Sequence, residues 1–578
     1  MNLKQYLPVL DWLPNYKREN LQGDLSAGLT VGVMLIPQGM AYAMIAGLPP
    51  IYGLYASTIP LILYALFGTS RQLAVGPVAM VSLLTAAGVG ALAEVGSETF
   101  IALAIALALF VGLIQFLLGA FRLGFLVNFL SHPVISGFTF AAALIIGFSQ
   151  LKHLLGVDIQ RSHHIHEIIW NAIQQFGVIN WATFAIGTAG ILLILGVKRI
   201  HKAIPGPLLA VVFGILAVWL LNLDSNSGVL IVGDIPKGLP AVTLPNLNAE
   251  VFSSLLPIAL TISLVGFMES IAVAKAIQAR HKNYKVDPNQ ELIGLGIANI
   301  GGSFFQAFPT TGGFSRTAVN DQAGARTGLA SIISAVLILL TLLLLTPLFY
   351  YLPKAILASV IMVAVFGLID FKEAVHLWKS DRVDFWMLIV TFLATLSLGI
   401  EQGIGVGVVL SLVMVIYRTT RPHVAVLGRI PGTRHYRNID RFHEVEDRED
   451  LLLLRFDAQI YFANTNFFKE VIDREIEKKG DTLKAIILDA ESINNLDSSA
   501  VHMLAEVLDE LKSAGIEFYM TNVKGPVRDA LKRGHLMGKI GEDHFFMDLE
   551  NAVAHYDSQM KGEERSQLKP YTLQTNVK

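Results

Sequence analysis

The chain contains no cysteine, which excludes disulfides, thiolate-held metals and thiol nucleophiles. Charge is also scarce. Lys, Arg, Asp and Glu make up 16% of 578 residues while apolar residues make up 53%, a balance that points to a polytopic membrane protein and away from a string of soluble domains. The 44 basic and 46 acidic residues nearly cancel, so no polybasic field draws in nucleic acid, and that class of partner is not expected. The first twenty residues lack a continuous apolar run and a small-residue cleavage site, so no cleavable signal peptide is expected. Residues 1–24 read instead as a cytoplasmic segment whose Leu, Tyr and Trp lie in the membrane interface. No nucleophile–base pair, metal cluster or nucleotide loop is found at depth, and neither an enzyme nor a cofactor or metal is predicted. His163, His164, His166 and Glu167 do not make a zinc-protease helix, because Trp170 stands where the second His is needed. Gly403, Gly405 and Gly407 follow no soluble strand and read as helix packing.

Apolar runs are abundant between Leu25 and Tyr417. Fourteen segments of near membrane-crossing length are predicted at 25–46, 51–67, 75–93, 99–120, 124–150, 178–197, 205–222, 252–276, 290–304, 313–325, 327–350, 354–369, 383–400 and 402–418. The tenth is too short and polar to be a simple span. With a cytoplasmic N-terminus, Arg71, Arg122, Lys198, Arg199, Lys202, Arg280, Lys282, Lys285, Arg326, Lys372, Lys379, Arg382 and Arg418 all fall inside. Only Lys152, Arg161, Lys237 and Lys354 fall outside, together with Glu94, Glu98, Asp158, Asp224 and Asp234. This asymmetry predicts that both ends face the cytoplasm.

Charge and periodicity change near residue 420. About 41 of the 90 ionisable residues precede this point and about 49 follow it. LLLLRFDAQIYF from Leu451, TNFFKEVIDREIEKK, AIILDA, a helix from Ser498 to Ala514, IEFYMTNV and a last helix near Arg528 predict a small soluble β/α domain. The polar tail, 561–578, reads as disordered. The expected organisation is thus 1–24, a transport domain at 25–420, a soluble domain at 421–560 and the tail.

Helix-breaking residues mark where chemistry could sit, because irregular backbone at membrane depth persists only inside protein or beside an aqueous cavity. In SRQLAVGPVAMVSLL, Gly76 and Pro77 end an extended stretch, and Pro77 suits the first position of a new helix. In FFQAFPTTGGFSRTAVN, Phe304–Phe308 reads as extended and a short helix begins near Phe314. Two helices starting at mid-membrane would aim free N–H groups and positive dipole ends at an anion. They are the third and tenth segments, seven apart, as expected of two seven-helix inverted repeats.

Polar residues at depth need a partner or a function. Gln38 and Tyr42, one turn apart, can face one cavity. Glu269, in the first helix of the second repeat, is a carboxylate whose charged form is costly in hydrocarbon, which makes it the candidate proton carrier; pairing with Arg316 or Lys275 is the structural alternative. Arg316 could attract the substrate or neutralise Glu269.

PQGMAYAMIAGLPPIYGLY from Pro37, GTSRQLAVGP from Gly68, NQELIGLGIANIGGSFF from Asn289 and GGFSRTAVN from Gly312 resemble the SulP anion permeases, a family that includes sulfate permeases and relatives of prestin and pendrin. LDAESINNLDSSA from Leu488 resembles their C-terminal STAS domain. The resemblance covers nearly the whole chain. It implies a polytopic α-helical fold of fourteen segments in seven-plus-seven inverted repeats, divided into core and gate, with a cytoplasmic α/β STAS domain, an elevator mechanism and a homodimer. It places the anion at Gly76, Val78 and Ala79, at Phe314, Ser315 and Arg316, and beside Gln38 and Tyr42, and matches the family's acidic residue with Glu269.

The function so implied is secondary active anion transport in the plasma (bacterial inner) membrane, with sulfate as substrate and a proton as coupling ion. Sodium-coupled bicarbonate transport, chloride exchange and dicarboxylate transport are alternatives on the same fold. A membrane-anchored STAS signalling protein is the alternative of another class. Ser498 matches a position phosphorylated in antagonist proteins, but Ala500 replaces their Gly, and Asp497 and Ser498 read better as a helix cap. A cytosolic partner of the STAS domain is also implied.

Overall fold

A computed structural model describes residues 6–125, 131–159, 165–200, 206–245, 248–281 and 284–560. Arg161, His163, His164, Lys202, Lys282 and the tail at 561–578 lie outside the described residues, as do any side-chain contacts of His166. The chain forms two compact units, Met1–Leu412 and Val413–Lys578.

In the first unit, the helices of the first repeat are α1 (Arg18–Ile45), α2 (Pro50–Tyr55) with α3 (Ile59–Phe67), α4 (Ala79–Gly90), α5 (Glu98–Ala120), α6 (His132–Ser149), α7 (Ile165–Gln174), α8 (Trp181–Ile200) and α9 (Gly206–Leu221). The second repeat comprises α10 (Ala249–Gln278), α11 (Pro288–Ser303), α12 (Phe314–Gln322), α13 (Leu329–Leu340), α14 (Lys354–Phe366), α15 (Phe371–Ser380), α16 (Arg382–Leu398) and α17 (Ile400–Thr420), whose residues from Val413 onward fall in the second unit. Each of the fourteen predicted segments holds a helix. Seven helical stretches among the described residues are long and apolar enough to cross a bilayer by length and composition. The others are shorter or more polar, and α4 and α12 rise only about 18 and 14 Å, roughly half a hydrocarbon core.

Helix contacts come in equivalent pairs when each segment is exchanged for the one seven places away. α5 packs on α10 as α13 packs on α1, α6 packs on α16 as α14 packs on α8, and α4 packs on α10 as α12 packs on α1. This is the pattern of an inverted repeat. The core holds α1–α5 and α10–α13; the gate holds α6, α8, α9, α14, α16 and α17. Close crossings depend on small residues. A Cβ on Gly112 would lie 2.6 Å from Ile300 N, and one on Gly296 would lie 2.6 Å from Phe116 N.

Two buried carboxylates bind the repeats to each other. Asp24 of α1 accepts Arg326 N at 2.6 Å, Thr327 N at 3.0 Å and Thr327 Oγ1 at 2.6 Å. Glu291 of α11 accepts Tyr64 Oη, Thr69 N and Thr69 Oγ1, each at 2.6 Å, and Ser70 N at 3.1 Å. Each carboxylate holds the loop of the opposite repeat, and this donor supply is what makes a buried acid tolerable.

Several expectations are corrected. α1 begins at Arg18, and Trp12 is buried in the protein at 7% exposure, close to Gly328, not spread in the interface. A Cβ on Gly328 would lie 2.9 Å from Ala65 O and 3.3 Å from Trp12 Cζ2. Phe304–Gln306 form a turn, with Gln306 at φ 61°, so the extended stretch starts only at Ala307. Pro77 precedes the N-cap Val78 of α4 and is not the first helical residue. The segment 327–350 is not one helix: α13 passes into a π turn at Thr341–Leu345 and a 3₁₀ turn at Thr346–Phe349, ahead of Pro353.

β1 (Val75–Gly76) and β2 (Thr311–Gly312) belong to the first unit, and the second is built on strands β3 (Val424–Arg429), β4 (Tyr436–Asn438), β5 (Leu451–Phe456), β6 (Ala485–Asp489), β7 (Glu517–Thr521) and β8 (Phe545–Phe546). Their order is β4-β3-β5-β6-β7-β8, parallel from β5 onward. Helices α18 (Thr465–Lys479), α19 (Ser498–Ser513) and α20 (Gly525–Arg533) pack around Leu454, Phe456, Phe468 and Leu504. α21 (Leu549–Met560) packs with Leu451, Leu453 and Tyr519 in a separate cluster. The predicted last helix near Arg528 is therefore followed by further structure, because the alternating apolar set on the sheet's other face needs α21 to cover it. Paired hydrogen bonds from Arg448 hold the Asp450 carboxyl below its usual range, and burial together with Asp450 pushes Tyr556 up to about 12. Asp497 alone caps α19, accepting Ala500 N at 2.8 Å; Ser498 is its exposed first residue.

Candidate functional site

Two residues from each repeat form the centre of the membrane unit. β1 (Val75–Gly76) pairs antiparallel with β2 (Thr311–Gly312), Val75 opposite Gly312 and Gly76 opposite Thr311. Because the strands are antiparallel and each leads into a helix, α4 and α12 depart from opposite ends of this pairing. The first bonds of the two helices are Ser82 N to Val78 O and Thr317 N to Gly313 O. Helix geometry thus leaves the N–H groups of Ala79, Met80 and Val81, and of Phe314, Ser315 and Arg316, without an i−4 acceptor. Those are the positive ends of the helix dipoles.

Side chains keep the extended backbone satisfied. Gly313 N donates to Ala74 O at 3.1 Å, and Ala74 N to Thr317 Oγ1 at 3.0 Å. Asn299 of α11 receives Thr310 N at 2.8 Å and donates to Thr310 O at 3.0 Å and to Gln115 Oε1 at 3.1 Å. Ser270 of α10 receives Gly312 N at 2.8 Å and bonds Thr311 Oγ1 at 2.7 Å, which itself donates to Gly266 O at 2.6 Å. The sequence reading passed over Ser270, Asn299, Gln115 and Thr311. All are polar residues at depth, and the cost of a polar group in hydrocarbon was the signal that could have found them.

A cavity of about 920 Å³ opens on these helix ends. It is lined by Gln38 and Tyr42 of α1, Val78 and Ala79, Glu269, and Phe314, Ser315 and Arg316, so eight of the nine predicted site residues share one wall. Gly76 is the ninth and lies behind it at φ 151°, with space for a Cβ only 3.5 Å from Arg316 Nη2. Across the cavity stand gate residues that the sequence reading did not name, among them His132, Phe138 and Val360.

Arg316 is 1% exposed, and its Nη1 donates to Pro77 O, the carbonyl preceding the opposite half-helix. Among the described residues its Nε and Nη2 have no hydrogen-bond partner, nor has Glu269 Oε2 or Gln38 Oε1. Among the described residues no ion pair joins Glu269 to Arg316 or Lys275. The predicted structural pair is therefore absent. The arrangement presents two sets of backbone N–H groups and a guanidinium to one space, the donor set that replaces the hydration shell of an oxyanion.

Residues 21–391 match the sequence model of the sulfate permease family, and residues 443–552 match the STAS domain. Over 565 residues the chain is 41% identical to sulfate transporter 4.1, chloroplastic, of Arabidopsis thaliana, covering 94% of this chain and 82% of that one. It is 34% identical to high affinity sulfate transporter 2 of Stylosanthes hamata, covering 96% and 87%. The fold superposes on the murine Solute Carrier 26 family member A9 anion transporter in the inward-facing state with TM-score 0.87 and 26% identity, over 96% of this chain and 94% of that one. A break-and-repeat architecture with two half-helix ends and a guanidinium at its centre, and a family match over most of the membrane unit, lead to one conclusion: the chain belongs to the sulfate permease family of integral membrane transporters and carries their STAS domain.

Proposed function

We propose that this protein carries sulfate into the cell across the plasma membrane together with a proton, by an elevator movement of the core against the gate. The observation that carries the reading is the convergence of both half-helix ends and Arg316, with its unpartnered donors, on a cavity that also contains Glu269. A dianion loses a large hydration energy on leaving water, and a preorganised ring of N–H donors with one guanidinium offsets that loss. The named sulfate transporters among its relatives favour sulfate over other oxyanions. Glu269 shares the cavity wall with the anion site. Its protonation removes a repelling charge as the anion enters, so proton and anion travel together. In this reading both termini are cytoplasmic, as the distribution of loop charge predicts. The protein works as a homodimer, and the STAS domain serves as a docking module for a cytosolic partner.

Uptake of labelled sulfate into proteoliposomes, with bicarbonate, chloride and fumarate as competitors, tests the reading. An inward proton gradient should stimulate wild-type uptake, and Glu269→Gln should retain sulfate-specific flux but lose its dependence on external pH. No sulfate flux in the wild type overturns the substrate. An unchanged pH dependence in Glu269→Gln overturns the role of this carboxylate.

A further inference from the structure

A second pocket, of about 240 Å³, lies on the core away from the half-helix ends, lined by Arg122, Gly124, Phe125, Ile271, Lys275, Pro288 and Asn289. Ile271 and Lys275 also line the central cavity, so α10 forms a wall shared by the two spaces. Lys275 lies six residues beyond Glu269 on that helix. Both cations are exposed, and neither side chain has a hydrogen-bond or ion-pair partner among the described residues.

The backbone at Arg122 is unusual. α5 ends in a left-handed closure, with Arg122 N donating to Gly119 O at 3.0 Å and Leu123 N to Leu118 O at 2.8 Å. Such a closure favours glycine at its left-handed position, yet Arg122 occupies it at φ 59°. Non-glycine residues held in this region cluster at functional sites. Gly124 N donates to Asn289 Oδ1 at 3.0 Å, which fixes the end of α5 to the start of α11 and holds the pocket's shape. Asp287, next to the lining residue Pro288, accepts Asn289 N and Gln290 N as the cap of α11.

We propose that Arg122 and Lys275 form a second anion site that takes a tetrahedral oxyanion in this pocket, which shares Ile271 and Lys275 with the central cavity. Two cations facing a pocket of this size suit one sulfate- or phosphate-type group. The group comes either from the transported anion in passing or from the phosphate of an anionic lipid; the first source rests on the transport reading above, the second does not.

The absence of native cysteine permits a direct test. Phe125→Cys places a single thiol in the pocket wall and leaves both cations in place. Its labelling by a neutral maleimide is measured in the full-length protein, with sodium sulfate titrated against chloride at constant ionic strength. It is then measured in phosphatidylcholine vesicles with and without phosphatidylglycerol. We expect labelling to slow severalfold with sulfate if the free anion fills the site, or in phosphatidylglycerol vesicles without sulfate if a lipid phosphate does. Adding Arg122→Gln and Lys275→Gln should abolish the slowing, and Arg122→Lys with Lys275→Arg should restore it. Adding Arg316→Gln should leave it intact. Equal rates under all conditions overturn the proposal, and so does protection lost with Arg316→Gln but kept without Arg122 and Lys275. Labelling does not require transport, so a protein that carries no sulfate would still report on this pocket.

Discussion

Arg316 shows how one side chain joins the two repeats. It belongs to α12 but donates to the carbonyl of Pro77, before α4, while its other nitrogens remain available to a ligand. Gly313 makes this possible: a Cβ there would lie 2.9 Å from Nη2 and 3.1 Å from Cζ. Gly313→Ala should therefore move the guanidinium while leaving the helices in place. The half-saturating sulfate concentration is expected to rise about tenfold or more, equivalent to about 1.4 kcal/mol of binding, with little change in thermal midpoint. Unaltered half-saturation would mean that the guanidinium does not bind the anion. Arg316 could be singled out in the sequence as a rare cation at depth. Its bond to Pro77 could not, because it links positions 239 residues apart.

The half-helices illustrate what an element needs beyond its own residues. Gly76–Pro77 and Pro309–Gly313 are visible as breaks, and both helices start within two residues of the expected places. The sequence does not reveal that β1 and β2 pair with each other, or that Asn299 and Ser270 from neighbouring helices supply the bonds this extended backbone lacks. Asn299→Leu keeps the volume near constant but leaves Thr310 N–H and C=O unpaired in a buried place. Each lost partner costs about 1–3 kcal/mol. The purified variant should melt several degrees lower, with sulfate uptake reduced to background. A wild-type melting temperature would show that another group satisfies Thr310. The misplacement of Pro77 has a related cause: proline tolerates both the position before the cap and the first turn, and pairing with β2 decides between them.

At the scale of the whole molecule, the chain divides into a membrane unit and a sheet-based unit, each with its own cores. If transport resides in the membrane unit, a chain ending after Arg421 should keep gradient-stimulated sulfate uptake above that of empty liposomes. Full-length Arg316→Ala should fall to the empty-liposome level. The reverse result, a silent Arg316→Ala and a dead truncation, would favour a signalling role centred on the STAS domain.

The sequence by itself determined the fourteen membrane segments, the repeat of seven, the two breaks and eight residues that line the cavity. These follow from local hydrophobicity, from the cost of polar groups in lipid and from resemblance over long motifs. Tertiary structure alone decided that Trp12 is buried, that Asp24 and Glu291 bind loops of the opposite repeat, that no ion pair joins Glu269 to Arg316 among the described residues, and that α21 closes the second sheet. Each of these depends on groups far apart in the chain meeting in space, and hydrophobic periodicity contains no information about which distant donor will reach a given acceptor.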